Sequence, residues 1–505
     1  MICESQKAVV EFLSSPKNFG GAPVQQIDTH LSHVFLVGAR VFKIKRAVRY
    51  DFADFSTIDL RKKSCEHEVR INCRTAPDMY LGVVPLYRSG DGVSWNGNGT
   101  IAEWAVEMVR FDSDQQFDML LARGKLDASM IRPLADKIAE FHMSAEVINS
   151  FRPGGGVGAA LDQVSTSLHE HEIGATRERD IARWASLALE EFKSNARFLE
   201  SRRRHGWARH CHGDLHLANI CMFRGKPTPF DAIEFNDELA NIDVLYDLSF
   251  AVMDLVNHGR RDLANLLLNR YLSATRDYSG VRLLRLFQSM RAGVRAMVLS
   301  LPTQPEKSQR LADRYIDLAL EYLIGESGPR MIVIGGYSGT GKSTLARDIA
   351  LHFDGLCGAV ILRSDVTRKR LAGCAPEERL HDESYSGERT HKVYGQLLKD
   401  ASRVLRAGQP AIIDATFLNA KFRQAAAKVA KNADVPFDGL WLSAPRDVLI
   451  DRISARPDGA SDATVEVLDN QLEQFPAPTD WRIIDASGSR RDVLDEILQS
   501  LDESG

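Results

Sequence analysis

The chain has 505 residues and a formal net charge of −4, and 44% of its residues are hydrophobic and 26% charged. This length exceeds one ordinary domain and predicts two to four domains, and the composition is that of a soluble globular protein. The slightly acidic balance argues against a general nucleic-acid-binding protein, although a local basic groove in the C-terminal part is still compatible with it.

Cysteine usage and the absence of targeting signals indicate a reduced setting. The seven cysteines are scattered and form no Cys-x-x-Cys pair, so neither a zinc site nor a disulfide framework is indicated. Residues 1–13 lack the basic start and apolar core of a signal peptide, and no apolar run approaches the roughly 20 residues that cross a bilayer. We therefore expect a cytoplasmic protein without a membrane partner; the oligomeric state is not predicted.

The first part of the chain changes from short strands to helices. The patterns predict strands at residues 34–37, 41–45 and 103–108, with a turn at 38–40, and helices at 64–74, 135–146, 183–200 and 262–272. A small strand-rich lobe, about residues 25–107, therefore precedes a larger helical lobe, about residues 108–325. This order is the layout of a bilobal kinase-like α+β fold. The glycine-rich residues 151–158 read as a loop inside the larger lobe.

The clearest domain boundary lies at residues 325–329, which are polar and rich in helix breakers. An amphipathic helix is predicted before it, at residues 282–301. A short apolar run with β-branched residues follows at 331–334 and is typical of a buried parallel strand. We therefore predict two domains, residues 1–325 and 330–505, the second of them α/β.

The first domain carries the sequence HGDLHLAN at residues 212–219, followed by Phe230 and Asp231. Phosphoryl transfer needs Mg²⁺ ligands, a group that orients the acceptor hydroxyl and a cation on the phosphates. Asp214 is the candidate base, and Asn219 follows it at the interval of a kinase catalytic loop. Asn219 and Asp231 are the candidate Mg²⁺ ligands. The alternative is that Asp214 and Asn219 only cap a turn.

This motif, together with the sequence FDAIEF at residues 230–235, resembles the aminoglycoside phosphotransferase superfamily over about residues 25–325. Members of that superfamily have a protein-kinase-like fold and phosphorylate hydroxyls of antibiotics, sugars and choline. The resemblance implies that Asp214 is the base, that Asn219 and Asp231 hold the metal and that His212 supports the loop.

The resemblance also implies a phosphate-binding lysine and its acidic partner. Lys43 is the implied lysine and Glu68 its partner, with Lys45 and Glu66 as close competitors. Glu107, at the end of the predicted strand at 103–108, is the implied hinge residue that contacts adenine. A lysine on a strand is otherwise a solvated surface residue, which is the alternative for Lys43.

The glycine-rich motif Gly-x-Gly-x-x-Gly, which covers the phosphates in many kinases, does not precede the lysine in this sequence. The corresponding turn is residues 29–33, where Ser32 either reaches a phosphate or is a simple turn serine. Other charged residues of the helical lobe also have open roles. Asp243 and Asp247 read as structural carboxylates, and Arg291 and Arg295 as either solvated arginines or an acidic-substrate pocket. The sequence leaves open whether carboxylates of the lobe line the acidic pocket that a polycationic antibiotic would need; the candidates are Asp237, Glu238 and Asp254.

The second domain begins with a phosphate-binding loop, GYSGTGKST at residues 336–344. It follows a predicted buried strand and precedes a predicted helix, which is the context that a Walker A motif requires. The helix N-terminus and the loop amides face the phosphates, while Lys342 reaches the β- and γ-phosphates and Ser343 holds Mg²⁺. The predicted nucleotide-binding residues are Gly336, Ser338, Gly339, Thr340, Gly341, Lys342, Ser343 and Thr344.

Further charged residues distinguish a kinase from a motor. Asp365 can accept the proton of an acceptor hydroxyl, and Arg368 can bind an anionic substrate or phosphate. Asp414 ends an apolar strand and suits a metal contact through water. Arg452 and Arg456 lie four residues apart, a spacing that suits a lid over the transferring phosphate. The alternatives are a helix N-cap for Asp365 and a solvated pair for the two arginines.

These residues resemble the small P-loop kinases of the gluconate kinase, chloramphenicol phosphotransferase, zeta toxin and polynucleotide kinase group over about residues 330–490. The resemblance implies a three-layer α/β/α fold with a parallel sheet. It also implies the roles just given for Asp365, Arg368, Arg452 and Arg456.

The two motifs together predict a bifunctional phosphotransferase that uses ATP, or GTP, with Mg²⁺ in both domains. Each domain would phosphorylate a small hydroxylated molecule, whose identity the sequence does not show. One alternative is a single kinase in the first domain that is regulated by a nucleotide-sensing P-loop domain. Another is a polynucleotide 5′-kinase in the second domain.

Overall fold

The structure is a computed structural model that describes residues 5–50, 53–90, 92–97, 99–150, 156–170, 172–301, 307–325, 328–353, 357–375, 377–378, 380, 385–455 and 464–502. The chain divides into two compact units. Met1–His258 and Val294–Gln309 form the first, and Gly259–Gly293 and Arg310–Gly505 form the second. This division differs from the predicted boundary at residues 325–330, because residues 259–293 pack with the P-loop part of the chain.

The small lobe of the first unit is a six-stranded antiparallel sheet with two helices. Its elements are α1 (Lys7–Ser14), β1 (Val24–Asp28), β2 (Ser32–Val37), β3 (Arg40–Lys45), α2 (Ile58–Asn72), β4 (Tyr80–Ser89), β5 (Gly92–Ser94) and β6 (Ile101–Val109). The strand order is β1-β2-β3-β6-β4-β5. Helix α2 begins before the predicted residue 64, since the Thr57 side chain accepts a hydrogen bond from the Leu60 amide and caps the helix.

The two faces of this sheet carry different residues because side chains alternate along a strand. Phe42 and Ile44 of β3 pack with Leu13 of α1. Val41 packs on the other face with Cys65 of α2. Lys43 and Lys45 share the parity of Val41, so the alternation of β3 directs both lysines toward α2.

The large lobe of the first unit is mainly helical. Its elements are α3 (Phe117–Ala122), α4 (Ala128–Ser144), α5 (Val157–Glu170), α6 (Glu172–Arg204), β7 (Ala208–His210), β8 (Ile220–Phe223), β9 (Lys226–Pro229), α7 (Asp237–Ala240), β10 (Asn241–Asp243) and α8 (Val244–Asn257). Strands β8 and β9 form a hairpin, and β7 pairs with β10. The predicted helices at 135–146 and 183–200 correspond to α4 and α6.

The second unit contains a five-stranded parallel sheet. Its elements are α9 (Arg261–Thr275), β11 (Met331–Gly336), α12 (Lys342–Ala350), β12 (Val360–Arg363), α13 (Ser364–Leu371), α14 (Gly387–Arg406), β13 (Ala411–Asp414), α15 (Ala420–Ala433), β14 (Phe437–Ser443), α16 (Arg446–Ser454), α17 (Val465–Gln474), β15 (Arg482–Asp485) and α18 (Arg490–Asp502). The division between the two units falls within two further helices, Leu284–Leu299 and Lys307–Ile324. The strand order is β12-β13-β11-β14-β15.

Helices cover both faces of the parallel sheet. Leu345 and Ile349 of α12 and Ile497 of α18 pack on one face, against Ile332 and Ile412. Helices α14 and α15 contact β13 and β14. The predicted α/β/α fold and the predicted strand at 331–334 are therefore confirmed. In the part of the chain that the structure describes, no helix combines the length and the apolar character needed to cross a membrane.

Helix α9 covers the edge strand β12 of this sheet. The Asn265 side chain donates to the Ala359 carbonyl at 3.0 Å, and the Asn269 side-chain oxygen Oδ1 accepts from the Ile361 amide at 2.7 Å. The two side chains thus form hydrogen bonds with backbone groups that, on an uncovered edge strand, could pair with a strand of another molecule. Residues 259–275, predicted in the first domain, are therefore part of the second compact unit.

We predict that two glycine-to-alanine substitutions in the second unit change stability in opposite directions. An alanine Cβ at Gly439 would lie 2.7 Å from indole atoms of the buried Trp481, and such overpacking costs about 1–3 kcal/mol. Gly395 is exposed on α14 with no neighbour within 4 Å of its Cβ position, so Gly395→Ala should stabilise by about 0.5–1 kcal/mol. Calorimetric unfolding of the full chain measures both, and equal shifts in the two variants would contradict the packing at Gly439.

Candidate active sites

The predicted lysine and glutamate of the first unit, Lys43 and Glu68, are in contact on the side of the sheet that faces α2. Lys43 Nζ lies 2.8 Å from Glu68 Oε1 and 2.7 Å from Asp231 Oδ1. Lys45 Nζ lies 2.6 Å from Glu68 Oε2, and it also contacts the Glu234 carboxylate. Both candidate lysines therefore share one glutamate.

Glu66, the competitor of Glu68, points elsewhere. It lies 3.7 Å from Lys62 on the exposed side of α2. The structure thus brings Glu68 to the lysines and leaves Glu66 at the surface. The solvated alternative for Lys43 is wrong, because Lys43 lies between two carboxylates.

The charges of this cluster hold one another ionised. Burial by itself would raise the pKa of Glu68, but Lys43 and Lys45 together have the larger effect and lower this pKa to about 2. Burial lowers the pKa of Lys43, while Asp231, Glu68 and Glu234 together raise it well above its ordinary value. Sequence reasoning did not single out Glu234, although it lies in the FDAIEF sequence that the resemblance rested on.

A single buried carboxylate holds the backbone of the catalytic loop. Asp247 Oδ2 accepts from the His212 amide at 3.0 Å, and Oδ1 accepts from the Gly213 amide at 2.9 Å. His142 Nε2 also lies 3.0 Å from Oδ2. The His212 ring contacts the Phe230 carbonyl at 3.0 Å. Asp247 is therefore structural, as expected, and His212 joins the loop to the strand before Asp231.

Asp214 and Asn219 are hydrogen-bonded to each other. The Asn219 amide group donates to the Asp214 carbonyl at 3.0 Å and to Oδ2 at 2.9 Å, so it closes the loop and orients the carboxylate at once. Burial raises the pKa of Asp214, but the charge and hydrogen bond of His216 and the charge of Arg295 lower it below its ordinary value. Asp214 is therefore ionised at neutral pH.

The two candidate metal ligands lie at the open end of the β8–β9 hairpin. The Phe230 amide donates to the Asn219 carbonyl at 2.9 Å, which places Asp231 beside Asn219. Asp231 has a φ of +60°, an uncommon conformation for a residue other than glycine, and its amide donates to the Tyr80 hydroxyl at 3.2 Å. A carboxylate and an amide oxygen are donors that suit Mg²⁺, so these residues fit the predicted ion.

Two further predicted residues of the first site, Glu107 and Ser32, do not point toward Lys43 or a phosphate-binding role. Glu107 pairs with Phe42 across β3 and β6 and lies 3.0 Å from Arg40. Its side chain is therefore on the sheet face opposite Lys43, and its predicted adenine contact remains a prediction for main-chain atoms. Ser32 is buried, and its amide donates to Thr29 Oγ1 at 3.0 Å, which is the simple turn role.

The arginines of the predicted helix at 282–301 have separate environments. Arg291 is only 4% exposed, so the solvated alternative is wrong for it. Arg295 is partly buried and close enough to lower the pKa of Asp214. Asp254 is also structural, since it accepts from the Leu217 amide at 3.1 Å.

The P-loop of the second unit depends on its glycines. Gly336, Gly339 and Gly341 have φ values of +138°, +93° and +89°. A Cβ at Gly336 would lie 2.5 Å from the Leu442 carbonyl oxygen. Lys342 Nζ donates to the carbonyls of Gly336 and Tyr337 at 2.9 and 2.7 Å. The loop thus folds around its own lysine. Bound nucleotide phosphates would compete with these two carbonyls for the Lys342 ammonium group.

The predicted metal ligands of the second site are in direct contact. Ser343 Oγ donates to Asp414 Oδ2 at 2.6 Å. Arg363 donates to the same two oxygens, each at 3.1 Å. Two adjacent oxygens that already share a cationic partner fit a hard divalent ion such as Mg²⁺. Sequence reasoning did not single out Arg363, which ends β12 next to the predicted base.

Asp365 lies in the first turn of α13 and is not its N-cap, because Arg363 holds that position. Burial raises the pKa of Asp365 and nearby Asp414 raises it too, while Arg363, Lys342 and Arg368 oppose this, and the pKa is raised overall. Asp365 therefore shares the electrostatic environment of the P-loop lysine, as the base prediction requires.

The three arginines predicted for the second site differ in burial and in whether the structure describes them. Arg368 is buried, donates to Thr390 Oγ1 at 3.3 Å and lies 4.7 Å from the Tyr385 ring centre. Arg452 is partly exposed on α16, a helix whose Leu449 carbonyl approaches the P-loop at Gly339. Arg456 lies outside the described residues, so the predicted pairing with Arg452 stays a prediction.

One P-loop contact had no signal in the sequence. The side-chain oxygen of Gln471, on α17, accepts from the Ser338 amide at 2.9 Å. Ser338 is one of the residues whose backbone was predicted to face phosphate. A phosphate oxygen that binds this amide therefore has to replace Gln471.

We predict that Glu68→Gln destabilises the chain and that Glu66→Gln does not. Removing one charge from a buried ion cluster costs about 3–5 kcal/mol, whereas an exposed substitution changes stability by less than about 0.5 kcal/mol. Denaturant unfolding of the full chain measures both. The folded pKa of Glu68 is about 2 and its ordinary value is 4.5, so the difference between wild type and Glu68→Gln is present above pH 4.5 and shrinks as pH falls toward 2. A difference independent of pH would contradict this.

Comparisons with known proteins identify one sequence family and several solved structures to which parts of the chain are similar. A sequence family described as an AAA domain (AAA_33) matches residues 331–478. Among solved structures, a choline/ethanolamine kinase family protein from Mesorhizobium loti has a TM-score of 0.41 and 13% identity, covering 63% of this chain and 94% of its own. A gluconokinase from Sinorhizobium meliloti has a TM-score of 0.26 and 21% identity, covering 35% and 94%.

The kinase-type catalytic loop of the first unit and the P-loop on a parallel sheet in the second unit indicate phosphotransferase activity. An uncharacterized protein of Mycobacterium tuberculosis is 32% identical over 449 residues, which cover 87% of this chain and 88% of that protein. Its length and coverage include both domains. The chain belongs to the same protein family as this mycobacterial protein.

Proposed function

We propose that the chain is a bifunctional phosphotransferase that transfers the γ-phosphate of ATP or GTP to hydroxyl or phosphate groups of small molecules at two separate sites. The observation that carries this proposal is that each unit has its own set of candidate residues for a base, for a phosphate-binding lysine and for metal-binding oxygens. A protein with one active site needs only one such set.

In the first site Asp214 is the residue that orients the acceptor hydroxyl and takes its proton. An ionised carboxylate with a low pKa serves this role when the proton leaves late in a loose transition state. Lys43 would hold the phosphates, with Glu68 fixing its position. Asn219 and Asp231 would hold Mg²⁺, which when bound neutralises charge on the phosphates.

In the second site Asp365 is the base, and its raised pKa brings it nearer to neutral pH, where a general base is most effective. Lys342 and the P-loop amides would bind the phosphates. Ser343 would bind Mg²⁺, and Asp414 would orient it. Arg368 would contact an anionic acceptor or the transferred phosphate.

A second candidate is a kinase whose P-loop domain senses nucleotide. The contacts of α9 with β12 favour it, because β12 ends at Arg363, which touches Ser343 and Asp414. A nucleotide at the P-loop would then alter a strand to which α9 is hydrogen-bonded.

We predict that the two sites can be inactivated separately. Asp214→Asn should lower one transfer activity by about 10²–10⁴-fold, the contribution of a general base, and Lys342→Met should abolish a different one. Asp114→Asn and Lys421→Met alter exposed residues of the same units and should leave both activities unchanged. ATP consumption is screened across hydroxylated metabolites and antibiotics with wild type and the four variants.

The same screen separates the candidates. If Lys342→Met removes no transfer and only changes the rate or affinity at the site of Asp214, the sensing function is correct. If wild type binds ATP but consumes none with any acceptor, the phosphotransferase proposal fails.

We also predict that the two activities differ in their dependence on acidity. The pKa of Asp214 is lowered and that of Asp365 is raised, so protonation inactivates the second site at a higher pH than the first. The activity left in Asp214→Asn should therefore decline first as pH falls, and the activity left in Lys342→Met should persist. Measured kcat/KM profiles test this, and coincident acid limbs would contradict the assigned bases.

A further inference from the structure

Three potential metal ligands of the first unit converge away from the nucleotide-binding residues. They are His67 on α2, His210 at the end of β7 and Asp237 at the start of α7. His67 Nε2 lies 3.4 Å and His210 Nε2 lies 3.8 Å from the same oxygen, Asp237 Oδ1. All three ligand atoms lie within 4.8 Å of one another.

Both histidine nitrogens in this cluster lack a hydrogen bond. Among the residues that the structure describes, neither His67 Nε2 nor His210 Nε2 has a hydrogen-bond partner, and both atoms are buried. An unsatisfied buried polar atom costs about 1–3 kcal/mol, so two of them pointing at one carboxylate need an explanation. A cation bound by all three groups would satisfy both nitrogens.

The two nitrogen–oxygen distances are close to those between the ligand atoms of a tetrahedral metal site. Metal–ligand bonds of about 2.0–2.1 Å place two ligand atoms about 3.3–3.4 Å apart, and the two nitrogen–oxygen distances are 3.4 and 3.8 Å. The two histidine side chains are 18% and 16% exposed and Asp237 is 57% exposed, so solvent reaches the site from one side.

We propose that His67, His210 and Asp237 bind one Zn²⁺ or a similar divalent transition-metal ion, with water in the fourth position. Two imidazoles and a carboxylate are a donor set that suits such ions. A neutral imidazole keeps one ring nitrogen with a lone pair that can bind a metal. The charges of Arg70 and Arg74 act against a cation here, and those of Asp237 and Glu234 favour it.

The other grouping of potential ligands does not form a comparable site. His142, Cys211 and Asp247 are all buried together. The carboxylate oxygens of Asp247 already accept from the amides of His212 and Gly213, and His142 is in contact with one of them. Both oxygens of that carboxylate already hold groups of the protein, so this grouping carries no comparable argument for an ion.

The proposed ion would connect three segments of the first active site. His67 precedes Glu68 in the chain, His210 lies two residues before His212, and Asp237 lies three residues after Glu234. The protein already joins two of these segments, since Arg74 donates to the His210 carbonyl at 2.7 Å. The ion would add a second link between α2 and the strand that leads into the catalytic loop.

The test is zinc binding by the full, untagged chain after removal of metals with a chelator. Competition with a chromophoric chelator gives stoichiometry and affinity for wild type and for His67→Gln, His210→Gln and Asp237→Asn. His169→Gln changes an exposed histidine of the same unit and is the matched control. Asp237→Asn alters the most exposed ligand and so guards against a folding defect, which circular dichroism checks for each variant.

We expect wild type and His169→Gln to bind one zinc ion, and each ligand variant to bind it more than about 100-fold more weakly, a larger loss than that of a second-shell partner. Zinc should also raise the thermal midpoint of wild type but not of the ligand variants. With Co²⁺ the visible spectrum should show nitrogen and oxygen ligation without a sulfur charge-transfer band.

Three results would overturn the proposal. The first is zinc affinity that is equal in wild type and all three ligand variants. The second is a cobalt spectrum with thiolate ligation, which would assign the ion to Cys211 or another cysteine. The third is a wild-type thermal midpoint that zinc does not raise.

Discussion

The lysine cluster of the first candidate site depends on one buried carboxylate, that of Glu68. It lies between Lys43 and Lys45, and the lysines in turn contact Asp231 and Glu234. Five charges of alternating sign thus connect α2, β3 and the segment after the β8–β9 hairpin. Burying so many charges is costly unless each has partners, so the cluster selects one relative position of these three segments. The phosphate lysine and the candidate metal ligand are positioned by the same set of contacts.

The two candidate bases show how different surroundings prepare the same side chain for related chemistry. Asp214 is next to a histidine and an arginine and is hydrogen-bonded by Asn219, so its charged form is stabilised. Asp365 is near another carboxylate, and burial outweighs the cations around it. The pKa values of the two candidate bases are therefore shifted in opposite directions. The second site is therefore not a copy of the first on another scaffold.

The sequence predicted the parts of the protein that follow from local patterns. The Walker A glycines adopt the positive φ values that the motif implies, and the strand before them is buried. The contact between Lys43 and Glu68, which the family resemblance implied, is present in the structure. Residues that act through long-range contacts were missed. Gln471 and Arg363 reach the P-loop from distant positions in the chain, and no local pattern marks them.

The domain boundary shows the same limit in another form. Residues 325–329 have the composition of a linker, and that composition is a local signal. The grouping of residues 259–293 with the P-loop unit depends on asparagine side chains that cover the edge of β12. Edge protection is a property of the assembled sheet, so the chain pattern around Asn265 and Asn269 reads only as an ordinary amphipathic helix.

The choice between a second enzyme and a nucleotide sensor rests on what each function requires of Asp365. A sensor needs an element with two arrangements that the nucleotide favours unequally, and the hydrogen bonds between α9 and β12 provide one arrangement of an edge strand. A sensor has no use for a partly buried carboxylate with a raised pKa beside the phosphate-binding lysine. Such a group is costly to maintain and is typical of catalytic sites. The environment of Asp365 therefore favours a second transfer reaction, and the contacts of α9 are explained by protection of the sheet edge.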